Sequence, residues 1–261
     1  MTVHTRLTAS SRVSKQLWAP DAAVSKDGKK YFLYFPARDK DGIFRIGVAE
    51  SDKPEGPFKP DADYMQGTYS IDPAVFSDTD GEAYLYIGGL WGGQLQCWQE
   101  PGKFNDKMSG PQEPSGKGVK ALNPRVAKLS EDMHTIAETP RELVLLDESG
   151  EPIMADDHDK RFFEAAWMHK YNGKYYFSYS TGDTHYLVYA IGDTPYGPFK
   201  YAGRILEPVK GWTTHHSIVE FEKRWFLFHH DVSISGKNHL RCVKTKELFY
   251  DEHGKIKLVA Q

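Results

Sequence analysis

The fold is decided by residues 162–180, FFEAAWMHKYNGKYYFSYS, in which two aromatic-rich runs flank an Asn-Gly pair. An Asn-Gly pair between two such runs is a strong signal for a β-hairpin. The first run carries one carboxylate, Glu164, directly after Phe163. Aromatic neighbours reduce the hydration of a carboxylate, so we expect a raised pKa and a capacity for general-acid catalysis near neutral pH. The competing interpretation is a strand-start Glu that points into water.

The same pattern of a polar opening, a tight turn and an aromatic second strand occurs four times along the chain. It covers residues 18–35, 70–87, 164–179 and 215–229. Four antiparallel meanders of this kind predict radial repetition, as in a β-propeller. We therefore predict a single all-β propeller domain that spans the chain, with blades that begin near positions 18, 70, 163 and 214. The longer interval between the second and third copies indicates an inserted segment.

The composition narrows the class of protein and of partner. Residues 1–17 are polar and show no helix or strand period, so they are predicted to form a flexible lead-in. The net charge of -3 leaves no extended basic surface, which argues against nucleic acid and anionic membranes as partners. Cys97 and Cys242 are far apart and are interpreted as reduced core residues. With no visible signal peptide, this favours a cytoplasmic location.

The residues that open the four repeats are candidates for a shared site. They are Asp21, Asp72, Glu164 and His215. In a propeller the first strand of each blade runs beside the central channel, so these residues should face the channel mouth. Because the burial of unpaired charge is costly, three carboxylates and a histidine at equivalent positions indicate function rather than packing. The alternatives are an ordinary Asp-Pro turn for Asp72 and a satisfied structural histidine for His215.

Four short motifs and one arginine are specific when they are taken together in their order along the chain. They are Trp18–Asp21 (WAPD), Ser70–Pro73 (SIDP), Phe163–Ala165 (FEA), Thr213–Ser217 (TTHHS) and Arg241. With these motifs the chain resembles glycoside hydrolase family 43, which comprises β-xylosidases, α-L-arabinofuranosidases and arabinanases. The resemblance implies a five-bladed β-propeller plan, of which four blades are recognisable in this chain.

The resemblance also implies a reaction and its residues. The expected reaction is an inverting, exo-type hydrolysis of β-xylosidic or α-L-arabinofuranosidic bonds in short oligosaccharides, without a required cofactor. Glu164 matches the general acid, and Asp72 matches the carboxylate whose negative charge helps to keep that acid protonated. Arg241 matches an arginine that reaches the substrate, and His215 matches a histidine near a channel water or a calcium ion. The acidic run Asp156–Asp159 is interpreted as a solvated loop rather than a calcium site.

The general base of the family is an Asp that opens its first blade. Residues 1–17 contain no acidic side chain, so the sequence predicts that the first blade and its base lie outside this chain. Asp21 is expected to orient its neighbours or to contact the sugar rather than to act as the base. Strand edges left by a missing blade would favour association with another chain, so a homo-oligomer is an open expectation.

Aromatic side chains are expected to line the sugar pocket, because their rings stack on pyranose faces. The candidates are Trp18, Trp91 and Phe163. Trp91 is equally well explained as the anchor of a glycine-rich loop, and Arg241 as an interstrand salt-bridge partner. The run 229–231 is either a small polar cluster or the polar edge of a strand. Competing functions are a non-catalytic carbohydrate-binding propeller, an inactive fragment of the hydrolase, a fructan-acting hydrolase and a repeat scaffold.

Overall fold

The protein is an all-β structure. The computed structural model describes residues 13–100, 102–212 and 215–260. Within these ranges the chain forms β-strands and short 3₁₀ helices, with no α-helix, so the predicted class is confirmed. In the same ranges no helix is long and apolar enough to cross a membrane.

The chain divides into two compact units. The first holds the described residues up to Gln112 together with Arg125–Arg141, and the second holds Glu113–Pro124 and the described residues from Glu142 onward. The 3₁₀ helices of the described ranges are Trp91–Gly93, Leu95–Trp98, Asp106–Met108 and Gly182–Thr184.

Two sheets make up the first unit, except that Glu142, at the end of their last strand, belongs to the second unit. Their strands are β1 (Val13–Lys15), β2 (Asp21–Val24), β3 (Tyr31–Asp39), β4 (Phe44–Ser51), β5 (Lys59–Pro60), β6 (Ala74–Ser77), β7 (Ala83–Ile87), β8 (Arg125–Lys128) and β9 (Arg141–Glu142). The first sheet has the order β1-β3-β4-β5 with β2 also paired to β3, and the second has the order β6-β7-β8-β9. The turn between β2 and β3 closes where the N–H of Ser25 donates to the carbonyl of Lys30 at 2.9 Å. Gly28 supplies the left-handed residue of this turn, with φ of 73°.

The first strand begins earlier in the chain than predicted. Val13 pairs with Asp39 and Lys15 with Arg38, within the segment 1–17 that the sequence predicts as a flexible lead-in. Hydrophobic alternation cannot reveal β1 because it is a three-residue edge strand, held by main-chain hydrogen bonds to β3. Residues 1–12 lie outside the described residues.

Two further sheets form the second unit. Their strands are β10 (Leu145–Leu146), β11 (Glu164–Tyr171), β12 (Lys174–Ser180), β13 (Leu187–Gly192), β14 (Phe199–Leu206), β15 (His216–Phe221), β16 (Arg224–Asp231) and β17 (Cys242–Leu248). The third sheet has the order β10-β14-β13-β12-β11, and the fourth has the order β15-β16-β17. β10 joins β14 in parallel, whereas the other pairs are antiparallel. The four sheets of the two units correspond to the four propeller blades predicted from the repeats.

The core of the second unit joins its two sheets. Leu187, Ile218 and Leu227 come from different strands of the two sheets and are at most 2% exposed. Full burial of such a side chain contributes about 1.5–3 kcal/mol. The C-terminal segment belongs to the same core, because the N–H of Val259 donates to the carbonyl of Ile205 at 2.8 Å. The segment after β17 therefore returns from the fourth sheet to the third.

The two cysteines are free, as predicted. Cys97 is buried, and it lies in the 3₁₀ helix Leu95–Trp98. Cys242 is only half-buried, and the prediction of a core position is wrong for it. Cys242 begins β17, the outer strand of a three-stranded sheet. Because β17 has only β16 as a neighbouring strand, its residues are less buried than those of a central strand.

Candidate active site

Glu164 is the first residue of β11 in the third sheet. It pairs with Ser180, whose carbonyl also accepts the N–H of Phe163 at 3.1 Å. Phe162 and Phe163 are almost fully buried, whereas Glu164 keeps partial exposure. The residue therefore sits where a buried aromatic wall meets accessible surface.

A β-bulge follows Glu164 directly. Glu164 pairs with Ser180 and Trp167 pairs with Ser178, so two residues of β11 face a single residue of β12. Ala165 has φ of 61°, a left-handed conformation that costs a non-glycine residue about 1–2 kcal/mol. If pairing continued regularly from Trp167, Ala165 would stand opposite Ser180 and Glu164 would lie on the other face of the sheet. The bulge therefore determines the face to which the Glu164 carboxylate belongs.

Phe163 supports this position from the protein interior. It packs against the loop after β12, where a Cβ added to Gly182 would lie 2.2 Å from its Cγ atom. Gly182 also has φ of 80°, so both sterics and backbone conformation require glycine. Since Phe163 is only 2% exposed, its surroundings explain a supporting role, and its contact with sugar stays a prediction.

In the first unit, Asp72 occupies a strained turn before β6. It is 3% exposed and has φ of 54°. Ser70 fixes this turn, because its hydroxyl donates to the carbonyl of Gly93 at 2.7 Å and accepts the N–H of Gly89 at 3.0 Å. The SIDP motif is therefore fastened to the glycine-rich loop that carries Trp91.

Asp21 is connected to the same segment. Its Oδ2 atom accepts the N–H of Val75, three residues after Asp72, at 2.7 Å. Burial raises the pKa of Asp21 to about 6, and the hydrogen bonds from Val75 and Ala22 oppose this only in part. The first unit thus brings two predicted carboxylates into one neighbourhood and holds one of them at a free-energy cost near neutral pH.

In the first unit, Trp18 lies beside the loop that carries Trp91. Trp18 is 37% exposed and its ring centroid lies 4.7 Å from that of Phe44. A Cβ added to Gly92 would lie 3.2 Å from the Cη2 atom of Trp18, so this indole packs against the residue that follows Trp91. Trp91 itself starts a 3₁₀ helix with φ of 52°. Their stacking on a sugar stays a prediction.

In the second unit, His215 lies within electrostatic range of both Glu164 and Arg241. Burial lowers the pKa of His215 to about 4, while Glu164 raises this pKa and Arg241 lowers it further. His215 is therefore neutral at physiological pH. Three of the residues predicted from the sequence repeats and motifs are brought together here. Thr213 and Thr214 of the same motif lie outside the described residues.

The polar run 229–231, which the sequence leaves open between a small cluster and a strand edge, contributes a residue to this site. His230 accepts the N–H of His215 at its Nε2 atom at 3.1 Å. The Nη1 atom of Arg241 lies 3.3 Å from the same nitrogen, and the Nε atom of Arg241 donates to the carbonyl of Asn238 at 2.9 Å. The only sequence signal is a His-His-Asp run at a strand end, which does not show what either ring faces.

The resemblance to the family leaves open whether a calcium ion binds near His215. Among the described residues, no three His, Cys, Asp or Glu side chains are placed to hold a metal ion. His215 supplies one nitrogen, and calcium takes about six to eight ligands, so an ion beside it would be completed by water or carbonyl oxygens. In the run Asp156–Asp159, the Nδ1 atom of His158 bonds to Asp183 at 2.5 Å and Asp157 pairs with Lys160 at 3.3 Å. A calcium ion in the channel therefore stays a prediction.

The four mainly antiparallel sheets, with carboxylates at the openings of three of them, are the arrangement expected of a propeller-type glycoside hydrolase. Residues 2–254 match the family model described as Glycosyl hydrolases family 43, and the chain belongs to this family. It is 73% identical to the Xylosidase/arabinosidase 43A of Humicola insolens, over 94% of this chain and 75% of that protein. It is 57% identical to a beta-xylosidase of Xylanibacter ruminicola, over 95% of this chain and 75% of that protein.

Solved structures of the family are similar over most of this chain. One is a GH43 beta-xylosidase/alpha-arabinofuranosidase from a compost microbial metagenome, in complex with xylotriose and in a calcium-free form. Its TM-score is 0.91 at 57% identity, over 95% of this chain and 74% of that chain. Another is the GH43_1 enzyme of Xanthomonas citri complexed with xylose, with a TM-score of 0.89 at 52% identity, over 94% and 73% of the two chains.

Proposed function

We propose that this protein hydrolyses β-xylosidic and α-L-arabinofuranosidic bonds of short oligosaccharides, one sugar at a time from the chain end, with inversion. Family membership and the names of relatives at 57–73% identity support the class of bond. The complexes of similar enzymes with xylotriose and xylose support the class of substrate. The observation that carries the assignment of the acid is the bulge at Ala165, which is strained and sets the face of Glu164.

Glu164 is proposed to donate a proton to the leaving glycosidic oxygen. Protonation is needed because an alkoxide of a sugar is a poor leaving group, and a positioned acid accelerates such a step about 10²–10⁴-fold. Asp72 is proposed to remain ionised and so to disfavour a second negative charge on Glu164. Arg241 is proposed to bind a hydroxyl group of the sugar, since a guanidinium presents several fixed donors.

Inversion requires a water molecule on the far face of the sugar. A second carboxylate activates this water, and the two carboxyl groups of inverting enzymes stand roughly 6.5–9.5 Å apart. Asp21 is proposed to orient its neighbours or to contact the sugar rather than to activate water, because its carboxylate is engaged by the Val75 N–H. A cytoplasmic location and self-association stay predictions.

The proposed acid is tested by varying the leaving group. Glu164→Gln keeps the size of the side chain but cannot donate the proton. We expect kcat/KM to fall about 10²–10⁴-fold on xylobiose and far less on a dinitrophenyl xyloside, whose leaving group needs no protonation. Glu220→Gln is the control, because Glu220 is an exposed carboxylate on β15 in the same unit. Equal losses on both substrates would refute the assignment of Glu164 as the acid.

The stereochemistry and the bond specificity are tested with the unmodified protein. Proton NMR of the first product released from a β-xyloside should show the α-anomer. Time courses with xylotriose should release xylose first, whereas internal cleavage would give mixed products from longer chains. Comparison of nitrophenyl xyloside and arabinofuranoside ranks the two sugars. Binding of xylotriose without hydrolysis of any of these substrates would favour the non-catalytic alternative.

A further inference from the structure

The guanidinium of Arg241 is held by two acceptors, one on β16 and one in the loop between β16 and β17. Its Nε atom donates to the carbonyl of Asn238 at 2.9 Å, and its Nη1 atom donates to Nε2 of His230 at 3.3 Å. Arg241 is otherwise an exposed side chain just before β17. Because a guanidinium is planar, contacts at two of its nitrogens fix the orientation of the whole group. An exposed arginine without such contacts would sample many rotamers.

His230 can make these contacts in only one protonation state. The N–H of His215 also donates to His230 Nε2, at 3.1 Å. A main-chain N–H and a guanidinium can only donate, so Nε2 must be the unprotonated nitrogen and Nδ1 must carry the proton. Burial, with the nearby charge of Arg241, lowers the pKa of His230 to about 4 and keeps the ring neutral.

One imidazole thus connects two chain segments near the proposed acid. His215 precedes β15, Arg241 precedes β17, and His230 lies on β16 between these strands. Glu164 and Arg241 both act on the pKa of His215, so the connected segments lie beside the acid of the third sheet. An acceptor at His230 therefore sets the position of the Arg241 guanidinium relative to the His215 main chain.

We propose that His230 is a positioning residue, which holds Arg241 in the orientation that binds a hydroxyl group of the glycosyl substrate. The substrate contact of Arg241 rests on the proposed function. The positioning step rests on the three hydrogen bonds alone. His230 would contribute to sugar binding without touching the sugar.

A double-mutant cycle tests whether His230 acts through Arg241. We expect His230→Leu to raise KM for nitrophenyl xyloside about tenfold with a smaller change in kcat, because one hydrogen bond to a charged group is lost. In an Arg241→Ala background the same change should alter kcat/KM less than about twofold, since its target is gone. His230→Gln should restore most of the KM, because the amide oxygen of glutamine can accept both hydrogen bonds.

A matched control separates positioning from simple destabilisation. His229→Leu removes the neighbouring imidazole, whose ring nitrogens make no hydrogen bond to Arg241 or His215 in the described ranges. It should leave KM close to that of the unmodified protein. Equal losses from His230→Leu with and without Arg241 would overturn the proposal, as would a KM unchanged by His230→Leu.

A readout without sugar distinguishes failure of this inference from failure of the proposed function. The heteronuclear NOE of the Arg241 Nη1 group, which is bonded to His230, should be high in the unmodified protein and low in His230→Leu. If the protein neither hydrolyses nor binds xylosides, the proposed function fails and the NOE still decides the positioning. If the NOE is the same in both proteins, the positioning role of His230 is refuted whatever the activity.

Discussion

Replacement of Asp21 by Asn should stabilise the protein at neutral pH. Burial raises the pKa of Asp21 from its ordinary value of 3.8 to about 6, so the ionised carboxylate is disfavoured in the folded state. The amide oxygen of Asn can still accept the N–H of Val75, which now lies 2.7 Å from Asp21 Oδ2. The change therefore removes the buried charge and keeps the hydrogen bond.

The magnitude follows from linkage. The two pKa values differ by about 2, which corresponds to at most about 3 kcal/mol at pH values above 6. A raised folded-state pKa means that the folded protein binds more protons than the unfolded chain between pH 3.8 and about 6. The cost of Asp21 is therefore fully present above that range and disappears as the pH falls through it. The gain from Asp21→Asn should halve by about pH 5 and be small near about pH 4.

Urea unfolding of both proteins at about pH 7.5 and about pH 5 measures this difference. Asp27→Asn is the control, because Asp27 lies in the following turn, is exposed, and has a pKa lowered to about 2 by the Ser25 hydroxyl and the Lys29 N–H. Neutralisation of Asp27 should not stabilise. A gain from Asp21→Asn that is absent at about pH 7.5, or equal at both pH values, would refute the reasoning. We expect the stabilised variant to lose activity, as is common when a strained site is relaxed.

Three further outcomes are expected. Gly182→Ala should lower the free energy of unfolding by about 2–4 kcal/mol and also lower kcat/KM, because the added Cβ would overlap the Phe163 ring and the residue has φ of 80°. Gly173→Ala is the control: its Cβ would meet no atom within 4 Å, so it should cost only about 1 kcal/mol in the same unfolding assay. Burial lowers the pKa of His134, but hydrogen bonds from its ring to two carboxylates outweigh burial, and the pKa is raised overall. The stabilisation by the charged imidazole is therefore present below pH 6.5 and is lost as the pH rises through the folded-state pKa. The Tm advantage over His134→Gln should therefore shrink from about pH 6 to about pH 9. EDTA should leave xyloside hydrolysis unchanged, because no cofactor is expected, and loss of activity restored by calcium would show that an ion completed by water or carbonyl oxygens takes part.

The sheets could be predicted because local signals agree with the final structure. In the first and third sheets, apolar alternation and turn pairs such as Asp27-Gly28 specify neighbouring strands without reference to distant residues. Strands that depend on distant partners escaped this reasoning. β1 has three residues and pairs only through its main chain, and β10 joins β14 in parallel across more than fifty residues. Such pairing leaves no periodic trace in a short segment.

The candidate site was predictable by residue type but not by geometry. Repeat equivalence identifies Asp21 and Glu164 as openings of blades, yet nothing in FEAAW shows that the strand is bulged after the carboxylate. The raised pKa of Asp21 and the acceptor role of His230 depend on burial and on donors more than ten residues away. Sequence periodicity carries information about faces of a strand, whereas these properties arise from contacts between strands.

The bulge at Ala165 sets a limit on engineering this protein for heat resistance. Substitutions that favour ideal strand pairing are a common route to stability, and the left-handed Ala165 would be an obvious target for them. A regular β11 would have less backbone strain. It would also pair Ala165 with Ser180 and move Glu164 to the other face of the sheet. Screens that select only for melting temperature should therefore drift towards inactive variants at this position, so stability libraries are best kept clear of residues 163–167.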